Sequence, residues 1–151
     1  MPSPQIPVAA TRQPAQPWLR YYEYNTSFLN VTVNTGTGNG NIQLQNDADF
    51  YMTQIKAVVF DHTALTVIDE ACVTLQITDG GSNFPLFFAP EAISLVSGSA
   101  QLPYVLPVPY RFRRASTIVF AVADLRKAGG NNSDIYISLA GYKKFQPGTQ
   151  A

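Results

Sequence analysis

From Trp18 onward, apolar and polar residues alternate with a period of two. "LRYYEYN" opens the alternation, and "FLNVTVN" sets Phe28, Asn30 and Thr32 on one face with Leu29, Val31 and Val33 on the other. Side chains along a strand point to opposite faces in turn, so this is the pattern of half-buried β-strands. "TGTGNGN" follows as a glycine-rich turn, a flexible hairpin tip, before "IQLQN" resumes with Ile42 and Leu44 on one side. "DFYMTQIKAVVFD" is a long strand with Phe50, Met52 and Val58 or Val59 as core candidates, and a bulge or bend near its centre.

The rest of the chain keeps this rhythm. "ACVTLQITD" alternates Val73, Leu75 and Ile77 against Thr74, Gln76 and Thr78, then meets Asp79-Gly80-Gly81, which is hairpin chemistry. "NFPLFFAP" is a short strand bracketed by Pro85 and Pro90, and "YVLPVPYRF" is extended with Pro107 and Pro109; both belong at sheet edges, because proline cannot donate to a ladder. Residues 91–103 read as loop or a short irregular strand. "STIVFAVADL" is a buried strand, "RKAGGNNS" a loop, and "DIYISLAGYKKF" sets Ile135, Ile137 and Leu139 against Tyr136, Ser138 and Ala140, with Gly141 permitting a kink before Tyr142. No segment carries a 3.6-residue stripe with caps. Short strands at regular spacing predict an all-β fold: a single jelly-roll-like β-sandwich first, an immunoglobulin-like sandwich second.

Before Trp18 the pattern is absent. "MPSPQIPVAATRQPAQP" holds five prolines and no acidic residue. Proline fixes φ, removes donors and biases the preceding residue toward extended backbone, so this is an extended, proline-rich N-terminal arm. Three parts result: an arm over 1–17, a sandwich over 18–146 and a short flexible tail over 147–151. Ordering a free segment costs roughly 1–2 kcal/mol per residue, which a partner's contacts must offset. At about 3.1 Å per residue the arm reaches on the order of 50 Å, far enough to strap onto a neighbouring subunit. The plain alternative is a tail without a role.

Composition sharpens this picture. Only 13% of the 151 residues are charged while 46% are apolar, so part of the surface is expected to face protein rather than bulk water. Net charge is zero but uneven: residues 1–110 hold three basic against eight acidic residues, and residues 111–151 hold seven against two. Either folding interleaves the two halves, or surfaces of opposite sign meet between subunits. The lone Cys72 excludes an internal disulfide and reads as a small buried hydrophobe. No apolar run suits a signal peptide or a membrane span, as expected of a chain made in a reducing cytoplasm.

Chemistry is sparse. His62 is the only histidine, a strand-end or surface residue rather than half of a catalytic pair with Cys72. Asn46, Asp47, Asp49 and Asp61 offer oxygens without the spacing of a calcium loop, and no metal or cofactor is expected. "TGTGNGN" lacks the Lys-Ser/Thr or the helix that phosphate binding needs. "RFRRAST" is the best basic patch; extended, it sends Arg111 and Arg113 one way and Phe112 and Arg114 the other. It suits carboxylate clamping at a subunit interface or a solvated face, with nucleic acid unlikely. Trp18, Tyr21, Tyr22 and Tyr24 either anchor an interface or pack the domain's own first strand.

"NDADFYMTQIKAVVF", "FPLFFAP" and "LPYVLPVPYRFRRASTIVFAVADLRKAGGNNSDIYISLAGYKKF" together resemble small structural proteins encoded beside capsid genes in tailed bacteriophages. The shared features are the Asp49-Phe50-Tyr51 strand start, the proline-flanked short strand, the extended lead into "RRASTIVFAV" and the Gly141–Phe145 close. Such proteins are similar to head cement or decoration proteins, jelly rolls that sit on the outer capsid and clamp major capsid subunits. The resemblance implies a non-enzymatic virion protein, made in the bacterial host cytoplasm, whose partners are the major capsid protein and copies of itself, a dimer favoured. Interface residues expected on this basis are Pro4, Pro7, Arg12, Pro14, Pro17, Trp18, Tyr21, Tyr22, Arg111, Arg113 and Arg114. A neck, tail or fibre component is the alternative; a carbohydrate-binding sandwich would instead present exposed, coplanar aromatics.

Overall fold

Nine strands and one helical turn account for the regular structure in the computed structural model, which describes residues 16–68, 72–97 and 102–146. The expectations for the arm, with Pro4, Pro7, Arg12 and Pro14, and for the tail lie outside the described residues. In chain order the elements are β1 (Trp18–Val31), β2 (Thr37–Gln43), β3 (Asp49–Asp61), β4 (Val73–Asp79), β5 (Phe84–Pro85), β6 (Glu91–Ala92), α1 (Ile93–Val96), β7 (Tyr104–Phe112), β8 (Thr117–Asp124) and β9 (Ser133–Phe145).

The strands pair in reverse order: β1 with β9, β2 with β8, β3 with β7, and β4 with β5 and β6 in succession, all antiparallel. Wrapping that ribbon brings β9 beside β3 and β8 beside β4. The result is two sheets, β1-β9-β3-β7 and β2-β8-β4-β5 with β6 also on β4, packed as a sandwich. This is jelly-roll topology, as the strand pattern predicted. Phe50, Met52, Ile55, Leu75, Ile77, Phe112, Ile118, Phe120 and Ile135 fill the space between the sheets, fully buried.

Bulges decide which face each residue takes. In β3 the register slips between Met52 and Gln54, so Met52 and Ile55 both reach the core although three residues apart. The backbones close in at this point, and a Cβ on Gly141 would overlap the Tyr51 carbonyl oxygen. In β1 the slip lies between Phe28 and Val31, with Asn30 at φ 57°. Strict alternation grouped Leu29 with Val31; instead Phe28 and Val31 are buried and Leu29 is exposed. On β7, Tyr110 pairs with Met52 and Val105 with Gln54, so Leu106–Pro109 arch out opposite Thr53 alone. Pro107 and Pro109 thus lie on an edge strand, as expected.

Two sequence expectations fail for identifiable reasons. "TGTGNGN" is not a loose tip: the turn is confined to Val33–Thr35, and Gly38 and Gly40 are strand residues of β2. A Cβ at Gly38 would lie 2.7 Å from Phe28 Cδ1 and 2.9 Å from Val122 Cγ2, so the glycine makes room for the Phe28 ring. Cys72 is exposed rather than buried, because it precedes β4 in the phase opposite to Val73, Leu75 and Ile77. "NFPLFFAP" contributes the short β5 at the edge of its sheet, as expected, and Leu86 N–H still reaches the Ile77 carbonyl at 2.8 Å before residues 86–89 bend away. Among the described residues no helix is long and apolar enough to cross a membrane.

Candidate functional site

Strand β7 stops at Phe112, whose ring is buried, and the chain turns through Arg113–Ser116 with Ala115 at φ 57°. Ala115 donates its N–H to the Gln45 carbonyl, and Ser116 Oγ donates to the Arg113 carbonyl at 2.6 Å, which fixes the turn. Because the strand has ended, Arg114 does not point away from its neighbours as alternation predicted. Arg111, Arg113 and Arg114 instead line one pocket of about 600 Å³, together with Asp49, Tyr51 and Lys144.

Asp49 organises this pocket. Its Oδ2 accepts from Arg111 Nε at 2.8 Å and Nη2 at 2.5 Å, and its Oδ1 accepts the Arg114 backbone N–H at 2.8 Å. Partial burial pushes the carboxyl up, but these donors outweigh it and hold Asp49 below its usual range. Asp49 in turn raises Arg111. Asp47, at the same rim, accepts from Lys143 Nζ at 2.7 Å. Both carboxylates are therefore engaged. The Arg113, Arg114 and Lys144 side chains are exposed, with no hydrogen bond or ion pair to a described residue.

Lys143 is the surprise of this rim. The inward phase of Ile135, Ile137 and Leu139 continues to residue 143, so its side chain enters the end of the sandwich fully buried. There Nζ also reaches Gln45 Oε1 at 2.9 Å and lies 4.2 Å from the centre of the Tyr22 ring. Tyr22 and Tyr24 thus pack the domain's own first strand, the second of the two expectations for them.

On the outer face, register carries one row across all four strands: Tyr21 faces Tyr142, Tyr142 faces Tyr51, and Tyr51 faces Arg111. The Tyr51 and Tyr142 rings stack 5.2 Å apart at 6°, so each closes one face of the other. Tyr21 is exposed, Trp18 lies flat on Phe145, and Pro17 is exposed before it. Sequence reasoning located the arginines and Tyr21, weighed Asp49 only as an oxygen donor for a metal, and gave Tyr51, Tyr142, Lys143 and Lys144 no place in a site. Continued alternation along β9 was the signal for Tyr142 and Lys144 outward and Lys143 inward.

A second surface lies along the side of the sandwich formed by β5, β6, α1 and β7. Phe88 is wholly exposed and Leu95 largely so, and both line a groove of about 480 Å³ with Leu86, Phe87, Tyr104, Leu106 and Glu91.

No protein-family model and no curated protein matches this chain.

His62 Nδ1 lies 2.8 Å from Asp134 Oδ1, which also accepts the Asn30 N–H at 2.7 Å. The contact ties the β1 bulge to the turn after β3, a structural role. Among the described residues no three His, Cys, Asp or Glu side chains converge as a metal site. Arg111–Asp49 and Lys143–Asp47 join the basic and acidic halves of the chain, so the charge asymmetry is partly interleaved. What remains is the cationic rim.

Proposed function

We propose that this chain is a non-enzymatic virion structural protein, a head cement or decoration subunit that binds the outer capsid surface and clamps neighbouring major capsid subunits. The proline-rich arm, residues 1–17, straps onto an adjacent subunit, and the subunit itself is oligomeric, a dimer in the simplest case. The observation that carries this reading is the apolar flank. Phe88 and Leu95, both exposed, line an open groove with Leu86, Phe87, Val96, Tyr104 and Leu106, a water-facing apolar surface of the kind that marks protein contacts. The low share of charge and the jelly-roll body support the same reading.

Co-sedimentation with mature heads lacking the protein tests it, with full-length chain beside a form missing residues 1–17. Saturable binding that weakens sharply on truncation is the expected result. Binding indifferent to truncation removes the strap, and no binding by either form moves the protein to the neck, tail or fibre.

A further inference from the structure

Three cationic side chains at one rim make no hydrogen bond or close ion pair to a described residue, although Arg114 lies within the field of Asp49, in a protein whose net charge is zero. Arg113 and Arg114 leave the turn after β7, and Lys144 reaches the same pocket from β9, opposite Asp49 in register. The carboxylates within that pocket are already satisfied, so the remaining field is positive. We propose that this pocket binds an acidic peptide segment of a partner protein, taking its carboxylates on Arg113, Arg114 and Lys144 while the peptide backbone lies against Tyr51. The proposal stands on the pocket and does not need the virion reading.

The molecule contains a precedent for the contact. Asp49 receives the Arg111 guanidinium through Nε and Nη2 and a backbone N–H from Arg114, the fork geometry that guanidinium offers a carboxylate. A partner's carboxylate meets the same donor type on Arg113 and Arg114, a few ångströms further out. A lone phosphate fits less well: about 600 Å³ is far too roomy, and the Arg114 backbone N–H is spent on Asp49. Nucleic acid also fits less well. Phosphates need a basic track and bases need open aromatic faces, whereas this rim is one short cluster containing Asp47 and Asp49, and Tyr142 covers one face of Tyr51.

Hexaglutamate carrying a fluorescent label is the probe, with anisotropy read on the full-length protein. Binding is expected at low salt and should fall several-fold between about 50 and about 300 mM salt, as the screening length shortens. Arg113→Glu should weaken it by about tenfold or more. Lys127→Glu makes the same change of charge at an exposed residue outside the pocket and should leave it nearly unchanged. Arg114→Gln and Lys144→Gln, which keep the backbone bonds of the turn, should each weaken it by a smaller factor at an unaltered melting temperature. No binding, or equal losses from Arg113→Glu and Lys127→Glu, overturns the proposal. Tighter binding of an oligothymidylate of equal charge, abolished by Arg113→Glu, overturns it in favour of single-stranded nucleic acid.

Discussion

Lys143 Nζ lies 2.7 Å from Asp47 Oδ1, with the lysine side chain sealed from solvent and the aspartate a quarter exposed. Burial pushes the ammonium pKa down, yet Asp47 and Tyr24 together more than restore it, and Lys143 ends above its usual value. Asp47 likewise ends below its own, against the effect of burial. The two partners are not equivalent, because only one can turn to water if the other is removed.

That asymmetry sets the outcome of mutation. Asp47→Ala strands a buried ammonium with Gln45 as its remaining hydrogen-bond acceptor and should cost about 3–5 kcal/mol. Lys143→Met fills the same space without charge and frees Asp47 to hydrate, so stability should change by less than about 1 kcal/mol or rise. Urea unfolding at neutral pH measures both. A loss from Lys143→Met equal to that from Asp47→Ala would show that the ammonium itself holds the rim.

Acid should unfold the protein through its paired carboxylates. Burial pushes Asp124 up, but Arg126, with Nη2 at 2.7 Å and its backbone N–H at 3.1 Å, and Ser133 Oγ at 2.8 Å together hold it below its ordinary value of 3.8. Glu23, Asp47, Asp49 and Asp134 are lowered too. A carboxyl lower in the folded state stabilises the fold above its unfolded pKa, and that stability is lost as pH falls through the folded value. The urea midpoint should therefore be level from about pH 7 to about pH 5 and fall steadily below about pH 4. Asp124→Asn should cost about 1–3 kcal/mol at neutral pH and make the acid limb shallower.

Phe28 and Gly38 should behave as one unit. Gly38→Ala drives a methyl group into the Phe28 ring and Val122, at an expected cost of about 1–3 kcal/mol. Phe28→Leu opens a gap above the same glycine. The double variant should be more stable than the sum of the two losses by at least about 0.5 kcal/mol, read from a double-mutant cycle in urea. Strict additivity would mean that the ring does not occupy the glycine notch.

Cys72 gives a direct check on the phase of β4. The thiol is exposed, so Ellman's reagent should label one cysteine per chain in native buffer, at close to the rate seen in denaturant. Protection that only denaturant relieves would place Cys72 with Val73, Leu75 and Ile77 inside.

The strands were legible where alternation and punctuation agreed, as in β4, β8 and β9, and the reversed pairing order follows from how such a ribbon wraps. The β1 slip was not legible, because nothing local announces that Asn30 will take a positive φ and turn Val31 inward. The glycines of β2 misled for a related reason: their composition says turn, while their role is to leave room for Phe28 from another strand. The same division runs through the rim. Arg111–Arg114 stood out as a patch, but the Asp49 clamp depends on β3 lying between β7 and β9, a neighbourhood that only the folded chain creates.

Trp18 is the only tryptophan, and it follows Pro17 directly. Its indole lies on Phe145 with ring centres 4.2 Å apart, and 42% of the residue is open to solvent. Excited on the long-wavelength side, where tyrosine does not absorb, native emission comes from a single spot at the junction of arm and sandwich. A partner that closes over this junction dries the indole and moves its emission to the blue. The protein thus carries its own optical label for capture of the arm, and assembly can be followed without attaching a dye.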